Sequence, residues 1–303
     1  WRRFQTRVAA DAQARPDYEA AVAAYGRFNA HKALESALSK RTEFTLADDH
    51  GVVDRSVQTF AAQFPEFAGF AEPQDVLRGG AARAELTEVA RILGRQKGVK
   101  AQQAGTALEQ AITQGNPAAM VRALFTQKGE PRKLGDKFEG ALQVQQAQDF
   151  LERWLQAERQ HTAWQHQRRM ARLTRLLIAE YAQLKRERGW IDMGDLECAA
   201  LALLSNEELS GWVQERLDAR VRHLLIDEFQ DTNPLQWQAL HAWLSGYAGA
   251  GNAPSVFVVG DPKQSIYRFR RAEPQVFRAA KEFVRTGLGG DLLSCDHTRR
   301  NAL

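Results

Sequence analysis

The stretch Leu224-Leu225-Ile226-Asp227-Glu228-Phe229-Gln230-Asp231-Thr232-Asn233 runs from apolar residues straight into two carboxylates. Taken with the preceding residues, the compact run Val221 to Ile226 predicts a strand that delivers Asp227 and Glu228 at the carboxyl edge of a sheet. A second such run, Val256 to Val259, follows an intervening helical stretch and leads into Gly260-Asp261. Strand, acid, helix, strand, acid is the order of a parallel α/β sheet, where ligands bind at the carboxyl ends of strands. Two adjacent carboxylates there suit nucleotide hydrolysis. One can hold Mg²⁺ directly or through water, and the next can orient or deprotonate an attacking water. Alone the pair is a weak signal, because acids also favour an ordinary helix N-terminus.

Upstream the chain reads as helical. From Trp1 to about Leu38 it is rich in Ala, Arg and Gln, with Val22, Tyr25 and Phe28 at helical spacing. Phe60, Phe64, Phe67 and Phe70 continue that spacing as core candidates, while Pro65 among them predicts a helix boundary or kink. Gly79-Gly80 and Gly129-Glu130-Pro131 read as connections. Residues 141–188 form a long breaker-free run with an apolar stripe, predicting one or two long helices. Arg168, Arg169, Arg172 and Arg175 cluster there, as a solvated face or as a patch for nucleic-acid phosphates. After Gly189, the segment Ile191-Asp192-Met193-Gly194-Asp195-Leu196 opens an Ala/Leu helix that its carboxylates can cap.

Beyond the second strand lies Gly260-Asp261-Pro262-Lys263-Gln264-Ser265-Ile266-Tyr267-Arg268-Phe269-Arg270. Glycine allows a tight exit from the strand, a glutamine amide can sense a terminal phosphate, and interleaved aromatics and arginines can stack bases and touch phosphates. The two strings together closely resemble motifs II and III of UvrD/Rep-like superfamily 1 DNA helicases. The segment Ile191 to Leu196 is similar to the one that precedes motif II in that family, with Met193 in place of the usual Phe. The phrase from Lys263 to Pro274, with Arg271 where Gly is usual in UvrD and Rep, leans toward the RecB/AddA branch, the exodeoxyribonuclease V beta type.

The resemblance implies an α/β fold: a partial RecA-like P-loop NTPase domain (1A) with a largely α-helical inserted domain (1B). Residues 1–165 would be the insertion, 166–290 the RecA-like domain, and 291–303 the start of a second RecA-like domain. It implies ATP and Mg²⁺ as cofactors. Asp227 would coordinate Mg²⁺ and Glu228 would act as general base. Gln264 would report the γ-phosphate to the DNA site, and Tyr267, Phe269 and Arg270 would bind single-stranded DNA, Arg270 linking the DNA and ATP sites. Gln230 and Asp231 would organise the carboxylate loop. The segment from Leu293 to Asn301 is similar to motif IV, and a one-residue shift offers Arg299 as its phosphate-contacting arginine. His297 beside it reads as a packing or surface residue.

Other features bound these expectations. Cys198 and Cys295 support neither a disulfide framework nor a zinc site. No apolar stretch is long enough to span a bilayer, so a cytoplasmic protein without a membrane partner is expected. The net charge of +4 is compatible with a polyanionic partner but does not by itself indicate one. No GxxxxGK[ST] string is present, so this stretch, read as an internal fragment, is expected to hydrolyse little ATP alone. Within an intact enzyme the resemblance implies 3′→5′ movement along single-stranded DNA at a duplex junction, in recombination and repair, with partner subunits like those of RecBCD- or AddAB-like complexes. The competing reading is a catalytically inactive DNA-binding scaffold, against which the intact Asp227, Glu228 and Gln264 argue.

Overall fold

The computed structural model describes residues 1–134, 138–218, 220–247, 254–261, 263 and 274–294. The chain separates into two compact units, Trp1–Leu184 and Lys185–Leu303.

The first unit is helical. Its elements are α1 (Arg2–Ala10), α2 (Ala14–Ser39), α3 (Arg41–Asp49), α4 (Val52–Arg55), α5 (Phe60–Gln63), α6 (Pro73–Arg78), α7 (Gly80–Gly94), α8 (Val99–Thr113), α9 (Pro117–Leu124) and α10 (Ala141–Arg188). The long breaker-free run is thus one helix, whose last residues pass beyond Leu184. Pro65 ends α5 and starts a 3-10 turn over Pro65–Phe67. Phe60, Phe64 and Phe67 are nevertheless all buried, in one core with Leu86, Leu93, Leu108, Leu151 and Trp154. The phenylalanine spacing therefore marked the core correctly although the helix does not continue through it. Gly105 sets the approach of α8 to α7, since a Cβ there would lie 2.7 Å from the Ala90 carbonyl oxygen.

The amino-terminal stripe behaves differently. Gly26 (φ 79°, ψ 153°) breaks α2, so residues on its two sides do not share one helical face. Tyr25 and Phe28 are exposed, and Ala21, Ala30 and Leu34 are buried instead.

The arginine cluster on α10 is largely engaged within the unit. Arg172 donates to both carboxylate oxygens of the buried Asp17, at 2.6 and 2.7 Å. Arg175 bridges Asp48 and Asp54, and Arg169 donates to Gln165. Arg168 lies over the Trp164 ring. Arg172 and Arg175 are accordingly fold-bearing ion pairs rather than a free phosphate-binding face. The Arg175 guanidinium holds the Asp48 carboxyl below its ordinary value of 3.8. A carboxylate with a depressed folded-state pKa stabilises the fold above its ordinary value, and that contribution drains away as pH falls through the lowered one. Arg175→Met is expected to destabilise the protein by about 1–2 kcal/mol near neutrality and to flatten the loss of stability on acidification, read by thermal melts across pH. An unchanged acid limb would remove the pair from this role.

The second unit contains α11 (Met193–Ser205), α12 (Glu207–Asp218), β1 (His223–Ile226), α13 (Pro234–Ser245), β2 (Ser255–Val258) and α14 (Pro274–Thr286). β1 and β2 are parallel, with Leu224 opposite Val256 and Ile226 opposite Val258. The ladder continues past the strands, because the Val259 N–H donates to the Ile226 carbonyl at 2.8 Å. Ile226 and Val258 pack against the core of Phe229, Val276, Phe277 and Ala280. Leu224 and Val256 pack against Trp243, Leu244 and Tyr247. The alternate residues Leu225 and Phe257 are exposed on the other face. No helix among the described residues is long and apolar enough to cross a membrane.

The start of α11 follows its sequence closely. Asp192 and Asp195 form a reciprocal capping box, each side chain accepting the other residue's backbone N–H. Both also accept from the Lys185 ammonium, at 3.0 and 2.5 Å. Burial disfavours the Lys185 charge, but its hydrogen bonds to Asp195 and Asp192 outweigh this and its pKa is raised. These carboxylates are therefore occupied structurally, as the capping reading holds.

Candidate nucleotide site

β1 ends at Ile226, so Asp227 and Glu228 emerge exposed at its carboxyl end. Asp227 Oδ1 accepts the Glu228 N–H at 2.8 Å. Glu228 adopts the left-handed conformation (φ 52°, ψ 38°), alone among the described non-glycine residues in having a positive φ. For a residue with a Cβ this costs on the order of 1–2 kcal/mol, so neighbouring interactions must impose it. Four do so. The Asp227 carboxylate holds the Glu228 N–H, the Glu228 carbonyl accepts from Asp231 N at 2.9 Å, and the Phe229 N–H donates to the Val259 carbonyl at 2.9 Å. The fourth is the Gln230 side-chain amide, which donates to Glu228 Oε2.

A 3-10 turn over Phe229–Asp231 follows, with Phe229 and Gln230 buried. Asn233 then caps α13, accepting from Leu235 N and Gln236 N at 2.9 Å. Its amide and that of Gln236 both donate to Glu197 on α11, at 2.8 Å. Glu197 carries no signal in the sequence, and only the fold brings it to the α13 cap.

Just after the second strand, Gly260 serves close approach. A Cβ there would lie 2.6 Å from Gln230 Oε1 and 2.7 Å from the Phe277 ring. The sequence suggests a glycine for a tight exit from the strand, whereas the observed demand is room for Gln230 and Phe277. Gly260→Ala is expected to cost about 1–3 kcal/mol, measured by denaturant unfolding. Wild-type stability would show that these side chains yield without cost.

Of the predicted site residues, the structure brings Asp227 and Glu228 together, with Gln230 beside Glu228. Gln264, Tyr267, Phe269, Arg270 and Arg299 lie outside the described residues. As a Mg²⁺ ligand, Asp227 offers one exposed hard carboxylate at a strand end. That fits an ion which usually takes one or two protein carboxylates and completes its shell with water and phosphate oxygens.

The signature of the UvrD/REP helicase N-terminal domain matches residues 29–285. An AddA-type ATP-dependent helicase/nuclease protein of Lysinibacillus sphaericus is 40% identical over 144 residues, covering 44% of this chain and 11% of that protein. The protein of the same name from Listeria monocytogenes is 36% identical over 124 residues, covering 41% of this chain and 10% of that protein. That from Clostridium novyi is 41% identical over 97 residues, covering 32% and 8% respectively. The chain thus spans about a tenth of the length of the Lysinibacillus and Listeria relatives. With the domain signature extending through most of its length, from α2 into α14 and so across both strands, the chain belongs to the UvrD/REP helicase family.

Proposed function

We propose that this chain is part of an ATP-dependent DNA helicase acting in recombination and repair. The observation that carries the reading is the Asp227–Glu228 pair at the carboxyl end of a parallel strand, with Glu228 constrained in a left-handed backbone by its neighbours. The names of the relatives support ATP-dependent helicase activity.

In this reading Asp227 holds Mg²⁺ and Glu228 accepts the proton of the attacking water. Bound Mg²⁺ supplies charge neutralisation on the phosphate oxygens. Because the Glu228 backbone and carboxylate are both fixed, the base meets its water with little reorganisation. Gln264 senses the γ-phosphate, Arg299 contacts phosphate from the second RecA-like domain, and Tyr267, Phe269 and Arg270 engage single-stranded DNA. Base stacking of that kind is worth about 1–3 kcal/mol per base. In this reading residues 1–165 correspond to the 1B insertion and 166–290 to domain 1A; the helices of the first unit and the parallel strands of the second suit those two classes, whereas the 165/166 boundary falls within α10 and the compact units divide at Leu184 and Lys185. Residues 291–303 begin the second RecA-like domain. Movement is 3′→5′, and the full-length protein works with a partner in an AddAB-like complex. The chain has no Gly-rich phosphate loop of the GxxxxGK[ST] form, so turnover is expected of the full-length protein and not of these residues alone.

The test is steady-state ATP hydrolysis by the full-length protein with and without single-stranded DNA, together with strand displacement from 3′- and 5′-tailed duplexes. DNA-stimulated turnover with displacement from the 3′ tail is expected. DNA binding without turnover would replace the motor by a scaffold, and displacement from the 5′ tail would reverse the polarity.

A further inference from the structure

Gln230 is buried, yet its side-chain amide both accepts and donates hydrogen bonds. The backbone N–H of Asp261, which can only donate, points at its Oε1 at 3.0 Å. This fixes the orientation of the amide and turns Nε2 toward Glu228, whose Oε2 accepts its hydrogen bond. The cradle is built around this side chain, because a Cβ on Gly260 would lie 2.6 Å from Gln230 Oε1 and 3.1 Å from its backbone nitrogen. One buried side chain therefore joins the carboxylate after β1 to the backbone just after β2, three residues before Gln264 in sequence.

We propose that Gln230 is a positioning residue that locks the Glu228 carboxylate to the loop leaving β2, so that the placement of the base depends on where that loop lies. The proposal rests on Glu228 being the general base. It assigns Gln230 a specific task within the carboxylate loop: the hydrogen bonds of its amide to Glu228 and from Asp261 N reach two different strand ends. A shift of Asp261 is thereby passed to the base through a buried amide with no slack. A side chain that only filled space would need neither polar end, and burying both without partners would be costly.

Gln230→Glu separates the two bonds. The glutamate keeps the length of the side chain and can still accept from Asp261 N, but it sets a second carboxylate against Glu228. In the full-length protein, kcat for DNA-stimulated ATP hydrolysis is expected to fall by about 10- to 100-fold with the ATP KM nearly unchanged. The reversed pair Glu228→Gln/Gln230→Glu restores a donor facing an acceptor, so its melting temperature is expected to recover above that of Gln230→Glu while its turnover stays low. Glu228→Gln alone serves as reference. If Glu228→Gln turns over ATP normally, the general-base reading fails and this proposal fails with it. If Glu228→Gln is inactive but Gln230→Glu keeps wild-type kcat, the positioning role alone is overturned. It is overturned equally if kcat and KM deteriorate together and the reversed pair melts no higher than Gln230→Glu.

Discussion

Glu228→Gln is expected to lower DNA-stimulated ATP turnover of the full-length protein by about 10²- to 10⁴-fold while nucleotide binding persists. The substitution is nearly isosteric and leaves the left-handed backbone as tolerable for Gln as for Glu. The amide can turn its oxygen toward Gln230 Nε2 and keep the hydrogen bond that holds the side chain. The Glu228 N–H still donates to Asp227 Oδ1, so the residue proposed to hold Mg²⁺ keeps its place. What is lost is a group able to take a proton from water. A deficit confined to kcat, with affinity for a fluorescent ATP analogue retained, is the signature of such a loss. Turnover within a few-fold of wild type would move the base elsewhere, and lost nucleotide binding would make Glu228 a binding residue.

Much of the arrangement that presents Asp227 and Glu228 was legible because it is local in sequence. An apolar run ending in Asp227-Glu228, with a second run ending at Gly260-Asp261, already specified two parallel strands, and they pair as expected. Asp192 and Asp195 are likewise close enough in sequence for their capping roles to be read directly. Pairings between distant residues were not legible. Nothing in the order of residues matches Arg172 to Asp17, or Arg175 to Asp48, and the arginines left a phosphate-binding face open until those partners were placed. Periodicity also failed where the backbone interrupts it. Tyr25 and Phe28 fall at helical spacing, but Gly26 lies between them in an extended, positive-φ conformation and both rings are exposed. The left-handed backbone at Glu228 had no sequence signal, since glutamate does not favour it. It arises from three hydrogen bonds within residues 227–231 together with one from Phe229 N–H to the Val259 carbonyl just past β2.

Phe229→Ala is expected to destabilise the second unit by about 3–5 kcal/mol and to reduce turnover as well. Phe229 stands between Glu228 and Gln230 in the chain and is 1% exposed, so its ring anchors the loop that both polar side chains share. Trp237 meets it edge-on with centroids 5.8 Å apart, and Phe277 lies at 6.0 Å. Removing the ring opens a cavity between α13 and α14 at a point where the sheet contributes Ile226 and Val258. Phe229→Leu retains most of the volume and should cost under about 1.5 kcal/mol. Hydrogen exchange over residues 223–245 separates a loop effect from a global one. Faster exchange at Phe229, whose N–H donates to Val259, and at Asp231, whose N–H donates to Glu228, is expected in the alanine variant before β1 itself opens. Protection unchanged at those two amides would mean that hydrogen bonds, and not the buried ring, hold the carboxylate loop. Aromatic packing and base placement would then be independent.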